Sequence, residues 1–233
     1  MSRVKALLSV LALAAAAAAP AAAPAQTKAA AAVDWSKRVS VTPEGGYRMG
    51  NPAAAVKVVE YGSLTCSHCA AFSSAAKAPL AARVRAGKVR FEFRNFVLNG
   101  IDVTATLLAR CAAPANFFAL SERMFATQGQ WVGKISNLPE AQKNQLKALP
   151  EGQRLGRLAD IGGLTQMATQ AGVTPQRGKA CLADEAALAR LGKMAEAADA
   201  LGVHGTPTFF INGANVGVQD WPGLEALIRQ AGG

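Results

Sequence analysis

Residues 56–72 read VKVVEYGSLTCSHCAAF, and this stretch decides the fold. Val56 to Tyr61 is a short β-branched run of the kind that forms a buried strand, and it stops at Gly62-Ser63. From Cys66 the pattern turns helical through about Arg85, where Gly87 closes the helix as a left-handed cap. Val89 to Val97 (VRFEFRNFV) alternates with period two and reads as a second strand. A strand, a helix and a strand in so short a span form a βαβ unit, which requires parallel pairing and a right-handed crossover.

Upstream, Gly45-Gly46 and Gly50-Asn51-Pro52 mark turns, and regular structure is expected from near Arg38. Downstream, a long helical stretch runs from about Val103 to Ala200, punctuated by Pro114, Pro139, Pro150 and Pro175. Leu107, Leu108, Phe117, Phe118, Met124 and Phe125 supply its apolar faces and read as core rather than as a substrate groove. Thr174-Pro175 is a helix start, Asp184 starts the last helix of this region and Gly202 ends it. Thr208 to Ile211 is a β-rich run, Asn212-Gly213 signals a hairpin, and Asn215 to Val218 returns antiparallel. Asp220 caps a final helix to about Gln230. With the inserted helices removed, a β-α-β, α, β-β-α order remains. The expected fold is α/β, a thioredoxin-like layout in two parts (39–102 and 185–233) with an all-helical domain inserted at 103–184.

The N-terminus has a different composition. Arg3 and Lys5 precede an apolar run from Leu7 to Ala19, and Ala23-Pro24-Ala25 follows as a small-x-small pattern. This is the layout of a secretory signal peptide over 1–25, too short in its apolar part to span a bilayer comfortably. The expectation is an exported, periplasmic protein, soluble after cleavage, with residues 26–38 as a flexible mature N-terminus. Removing 1–25 takes away two basic and no acidic residues, so the formal charge falls from +10 to +8. Residues 83–94 (RVRAGKVRFEFR) concentrate five of the basic residues, which alternate with apolar ones. With no nucleic-acid module beside them, they read as a solvated helix end and strand face, and no nucleic-acid partner is expected.

Export changes what the cysteines mean, because disulfides persist outside the cytosol. Cys66 lies just after a strand, at the start of a helix, where free N–H groups and the helix dipole favour an anion. A thiolate there has a lowered pKa, attacks disulfides and is a good leaving group. His68 can donate to the Cys66 sulfur or add positive charge near it. Cys69, one helical turn on, can close a disulfide with Cys66 and act as the more buried resolving thiol. Glu60, six residues before Cys66, lies within the expected buried strand, where a carboxylate needs a task or a partner. It either exchanges the Cys69 proton through water or sits at a solvated strand edge. Zinc is excluded by count, since one C-x-x-C supplies two ligands where four are needed. A purely structural Cys66–Cys69 bridge would close too small a ring to constrain the chain. No metal or cofactor is expected.

Residues 203–213, VHGTPTFFING, place Thr206-Pro207 at the head of a strand. Proline is tolerated there, most often trans. A cis bond would bring the loop against the Cys66 helix, and the Thr206 backbone could then pair with an extended substrate segment. His204, three before Pro207, either approaches this site or is an ordinary loop histidine.

Glu60, Cys66-Ser67-His68-Cys69, the helical insertion and Gly205-Thr206-Pro207-Thr208-Phe209 followed by Asn212-Gly213 together resemble the DsbA-like thiol–disulfide oxidoreductases, over about residues 39–233. The resemblance implies a cis Pro207, a nucleophilic Cys66, delivery of disulfides to reduced, newly exported proteins, and reoxidation by a quinone-linked membrane partner of the DsbB type. Some members carry a second, structural disulfide, and here Cys111 and Cys181 either form such a bridge or stay as buried thiols. The chain departs from the best-known oxidases at Ser67-His68, where they have proline-histidine, and at Thr206, where they often have valine. An oxidase therefore stands beside an isomerase or reductase, and beside a non-catalytic chaperone or binding module. Residues 26–55 are too short and too poor in apolar periodicity for an oligomerisation domain, so a monomer is expected.

Overall fold

The computed structural model describes residues 33–233; the expected leader at 1–25 and the segment up to residue 32 lie outside the described residues. Six strands form one sheet: β1 (Val39–Val41), β2 (Tyr47–Gly50), β3 (Val56–Gly62), β4 (Val89–Asn95), β5 (Thr208–Ile211) and β6 (Ala214–Gly217). Their order across the sheet is β1-β2-β4-β3-β5-β6. The β-branched run of β3 lies in the middle, parallel to β4 and antiparallel to β5. The βαβ unit expected from the sequence is thus present, with α1 (Ser67–Arg85) as its crossover.

Period-two alternation sorts β3 between two faces. Val56, Val58, Glu60 and Gly62 share one, and Val58 joins Phe91, Phe93 and Phe209 in the main core. The α1 stripe of Cys69, Phe72, Ala76, Leu80 and Val84 covers that side at helical spacing. A fully buried leucine or phenylalanine there contributes about 2–3 kcal/mol. The other face carries Val59 and Tyr61, which meet Phe210, Val203 and Ala198 in a smaller cluster.

Between β4 and β5 the chain is helical: α2 (Gly100–Cys111), α3 (Phe117–Ala126), α4 (Gln128–Ser136), α5 (Glu140–Lys147), α6 (Glu151–Gly162), α7 (Leu164–Gln170), α8 (Pro175–Leu182) and α9 (Glu185–Asp199). The aromatic residues of α3 bind these helices to the sheet. Phe117 stacks on Tyr47 with ring centroids 3.6 Å apart, and Phe93 meets Phe125 edge-on at 6.1 Å. Thr174, Asp184 and Asp220 cap α8, α9 and the last helix, α10 (Trp221–Gln230), each by accepting a backbone N–H. Cys111 at the end of α2 and Cys181 in α8 are disulfide-bonded, with Cα atoms 6.0 Å apart.

Regular structure starts at Val39, near the expected Arg38, as two paired strands: Thr42–Gly46 closes the β1–β2 hairpin, and β2 adds to β4. The part of the expected flexible segment that is described, 33–38, carries a 3-10 turn at Trp35–Lys37, because Asp34 accepts the Ser36 N–H at 3.1 Å. Helix α2 begins at Gly100 rather than Val103, because the Asn99 side chain caps it by accepting the Asp102 N–H at 2.9 Å. Among the described residues no helix is long and apolar enough to cross a membrane.

Candidate active site

Cys66 is the N-cap of α1: its backbone is still extended while its carbonyl accepts the Ala70 N–H. That conformation turns Sγ back over the first helical turn, where the Cys69 N–H points at it from 3.5 Å. Both thiols are unbonded, Cys66 half-buried and Cys69 buried. The Thr206–Pro207 peptide is cis. It brings the Thr206 carbonyl to 3.3 Å from the Cys66 sulfur, so the protonated thiol can donate to it. Gly205 holds this turn by accepting the Thr208 hydroxyl at 2.8 Å.

The electrostatics of the two sulfurs diverge. Cys66 is pulled down to about 4, first by the Cys69 S–H, then by the Thr206 hydroxyl and the N–H groups of Cys69 and His68, against the cost of partial burial. The Thr206 hydroxyl is buried and without a partner in hydrogen-bonding geometry, yet it lies close enough to stabilise the ionised sulfur. Cys69 is pushed far above the ordinary thiol range by its bond to Cys66, by burial and by the Glu60 charge.

Glu60 lies on the core face of a central strand, 3% exposed, which removes the solvated-edge reading. Its Oε1 has no partner, and burial, with the nearby Cys66 charge, pushes the carboxyl up to about 8. Gly62 makes room for it, since a Cβ at that position would stand 2.9 Å from Oε1 and closer still to the Phe93 ring. Glu60 borders a cleft of about 60 Å³ with Phe72, Phe93, Ser121 and Phe125, large enough for water. A cleft of about 890 Å³ lies between α6, α8 and α9, and none of the thiol-site residues lines it.

Both histidines are exposed. His68 is exposed, and it reaches the Cys66 sulfur through its backbone N–H rather than its ring. His204 is exposed with Nδ1 3.0 Å from an Asp199 carboxylate oxygen. Among the described residues, no hydrogen bond links it to Cys66.

Two residues in the helical stretch also build the site. Asp102 is fully buried and accepts from the Ser63 hydroxyl at 2.6 Å, from the Leu64 and Leu98 N–H groups at 3.0 Å each, and from the Thr106 hydroxyl at 3.4 Å. Burial outweighs these donors and raises its carboxyl to about 6. Gln128, first residue of α4, donates its side-chain amide to the carbonyls of Leu64 and Cys66. Asn99 and Asp102, at the spacing of a helix cap, are the signal by which Asp102 could have been noticed; nothing marks Gln128. Among the described residues no group of three or more His, Cys, Asp or Glu is placed to hold a metal ion.

Fold and site together define a dithiol protein: a C-x-x-C pair at a helix start, a cis-proline loop facing it, and a buried carboxyl beneath. The family model described as Thioredoxin matches residues 42–230, so the chain belongs to the thioredoxin family. A Rickettsia bellii protein provisionally named a protein-disulfide oxidoreductase is 30% identical over 189 residues, or 78% of this chain and 63% of that protein. This chain thus spans less than two thirds of that relative's length. Among solved structures, a protein-disulfide isomerase from Novosphingobium aromaticivorans is 33% identical, with a TM-score of 0.73 over 80% of this chain and 96% of that one. Alpha-DsbA1 of Wolbachia pipientis, at 21% identity, shares the fold, with a TM-score of 0.64 over 79% of this chain and 89% of its own. These neighbours agree with the DsbA-like resemblance read from the sequence.

Proposed function

We propose that the protein is an exported thiol–disulfide oxidoreductase that passes its Cys66–Cys69 disulfide to reduced, newly exported proteins. The observation that carries this reading is the split between the sulfurs, Cys66 pulled down to about 4 and Cys69 pushed far up. A substrate thiolate attacks Cys66 Sγ of the disulfide, the S–S bond breaks, and Cys69 leaves with the electron pair and takes a proton from Glu60. A second substrate thiolate then attacks the substrate sulfur of the mixed disulfide, and Cys66 leaves as the stabilised thiolate. Two electrons have moved from substrate to protein. Because the leaving thiolate is stable, the reduced form is favoured and the disulfide is a strong oxidant.

In this reading Cys69 resolves mixed disulfides, Glu60 carries its proton, and the backbone from Gly205 to Thr206 beside Pro207 receives an extended substrate segment. The exposed His68 would meet that segment. His204, held by Asp199, serves the rim of the loop. Export rests on the layout of residues 1–25. A quinone-linked membrane partner of the DsbB type would reoxidise the pair, and the protein would act as a periplasmic monomer. The second reading, an isomerase or reductase, is favoured by the name of the Novosphingobium relative and by Thr206.

The test is the redox equilibrium of Cys66 and Cys69 in graded glutathione buffers, counted by alkylation of free thiols. An oxidase keeps the pair reduced even in oxidising buffer. A disulfide that forms readily in reducing buffer would establish the second reading.

A further inference from the structure

The segment 63–66, which delivers Cys66 to the helix start, makes only one backbone hydrogen bond within itself, from Cys66 N–H to the Ser63 carbonyl. The Ser63 hydroxyl oxygen also accepts the Thr65 N–H at 3.1 Å, and further polar groups of the segment are met from outside. Asp102 on α2 takes the Ser63 hydroxyl and the Leu64 N–H. Gln128 on α4 takes the carbonyls: Nε2 stands 2.8 Å from the Leu64 oxygen and 3.0 Å from the Cys66 oxygen. Gln128 is 9% exposed, so this double donation occurs out of solvent. A primary amide nitrogen has two hydrogens, one for each carbonyl. A carboxylate or a thioether of the same length has none.

The Cys66 carbonyl is also the first acceptor of α1, from Ala70 N–H at 3.1 Å. Fixing that carbonyl fixes the rotation of the Cys66 peptide unit, and with it the direction in which Sγ leaves the backbone. The N–H groups of His68 and Cys69 stabilise the sulfur only while that direction holds. We propose that Gln128 is a positioning residue for disulfide exchange: from the helical stretch, its amide sets the Cys66 backbone so that Sγ faces the first-turn N–H groups. Substrate contact is not required of it. This proposal rests on reading Cys66 as the nucleophile.

The experiment titrates the thiolate ultraviolet absorbance of the reduced, full-length protein in four variants. Gln128→Met keeps length and volume and removes both donors; the Cys66 midpoint is expected to rise by about one pH unit, a tenfold loss of thiolate on the acid side. Trp131→Phe is the comparison, because Trp131 is buried in the same helix and donates to the Met124 carbonyl, away from 63–66. It should lower the melting temperature and leave the midpoint in place. Gln128→Asn keeps the amide one methylene back and should raise the midpoint by less, which gives a reading even if the methionine variant does not fold. If the Gln128 variants lose melting temperature as Trp131→Phe does but keep the midpoint, Gln128 is only part of the packing and the proposal falls. Cys66→Ser separates the two layers: if the low-pH titration survives in it, the nucleophile assignment is at fault rather than the role of Gln128.

Discussion

Replacing Glu60 by glutamine should stabilise the reduced protein by an amount that grows with pH. In the folded state the carboxyl titrates at about 8 instead of 4.5, with burial the first cause and the Cys66 charge the second. The sign follows from linkage. A raised carboxyl binds its proton more tightly when folded, so its favourable contribution is whole below pH 4.5 and is lost as pH rises through 8. Taking about 1.4 kcal/mol per pH unit, the carboxyl penalises folding by about 1 kcal/mol at pH 5, about 3 at pH 7 and about 5 at pH 9. Glu60 is buried and its Oε1 is unpartnered, so solvent screening does not dilute these figures. The glutamine removes the ionisation while nearly keeping the volume. Urea unfolding of reduced parent and Glu60→Gln at the three pH values reads the difference directly. Substrate attack on the oxidised pair should meanwhile release Cys69 more slowly in the variant, which has no carboxyl to give it a proton. A stability difference that is the same at all three pH values would refute the buried, raised carboxyl and the relay with it.

Alkylation of Cys66 should follow its thiolate, half-maximal near pH 4 and flat from about pH 6 upward, while Cys69 stays unmodified in the folded protein. Any stability that the depressed Cys66 lends the reduced protein is correspondingly present above the ordinary thiol value of 9.0 and lost as pH falls through about 4, so a half-point near 9 would contradict the site electrostatics. Cys69→Ser should accumulate mixed disulfides with substrate proteins on non-reducing gels, and their absence would argue against a dithiol relay. Replacing Cys111 and Cys181 together by alanine should cost about 4 kcal/mol by loop entropy across their separation of 70 residues, read as a lower denaturant midpoint; an unchanged midpoint would mean that the bridge constrains little of the unfolded chain.

The parts of this molecule legible in the sequence are those set by local pattern. The run VKVVEY announced β3, and the change of period at Cys66 placed the first sulfur at a helix start. Thr174, Asp184 and Asp220 were readable as caps because a cap bonds within three residues of itself. The hairpin of β1 and β2 was not legible, since strands of three and four residues are too short to display alternation. The histidines were not decided by spacing, which gives proximity along the chain but not direction. His68 lies between the two cysteines, yet it is exposed and acts on the Cys66 sulfur through its backbone N–H. Asp102 and Gln128 escaped for the opposite reason: their partners at 63–66 lie 38 to 64 residues away, and only the packed fold joins them.

One local geometry accounts for the unlike behaviour of three ionisable groups. A central strand ends and a helix begins within four residues, from Gly62 to Cys66. The helix start supplies N–H groups to the first sulfur, and the same turn carries the second sulfur inward over the sheet, where it meets burial and Glu60. The S–H of Cys69 that lowers Cys66 is the bond that raises Cys69, so the largest part of the two shifts is shared. Of these three groups, Glu60 titrates between the two sulfurs and can change protonation near neutral pH while they exchange roles. Removing Glu60 should thus slow proton transfer without reversing which sulfur attacks, whereas loosening the helix start should narrow the difference between the sulfurs and make the disulfide a weaker oxidant.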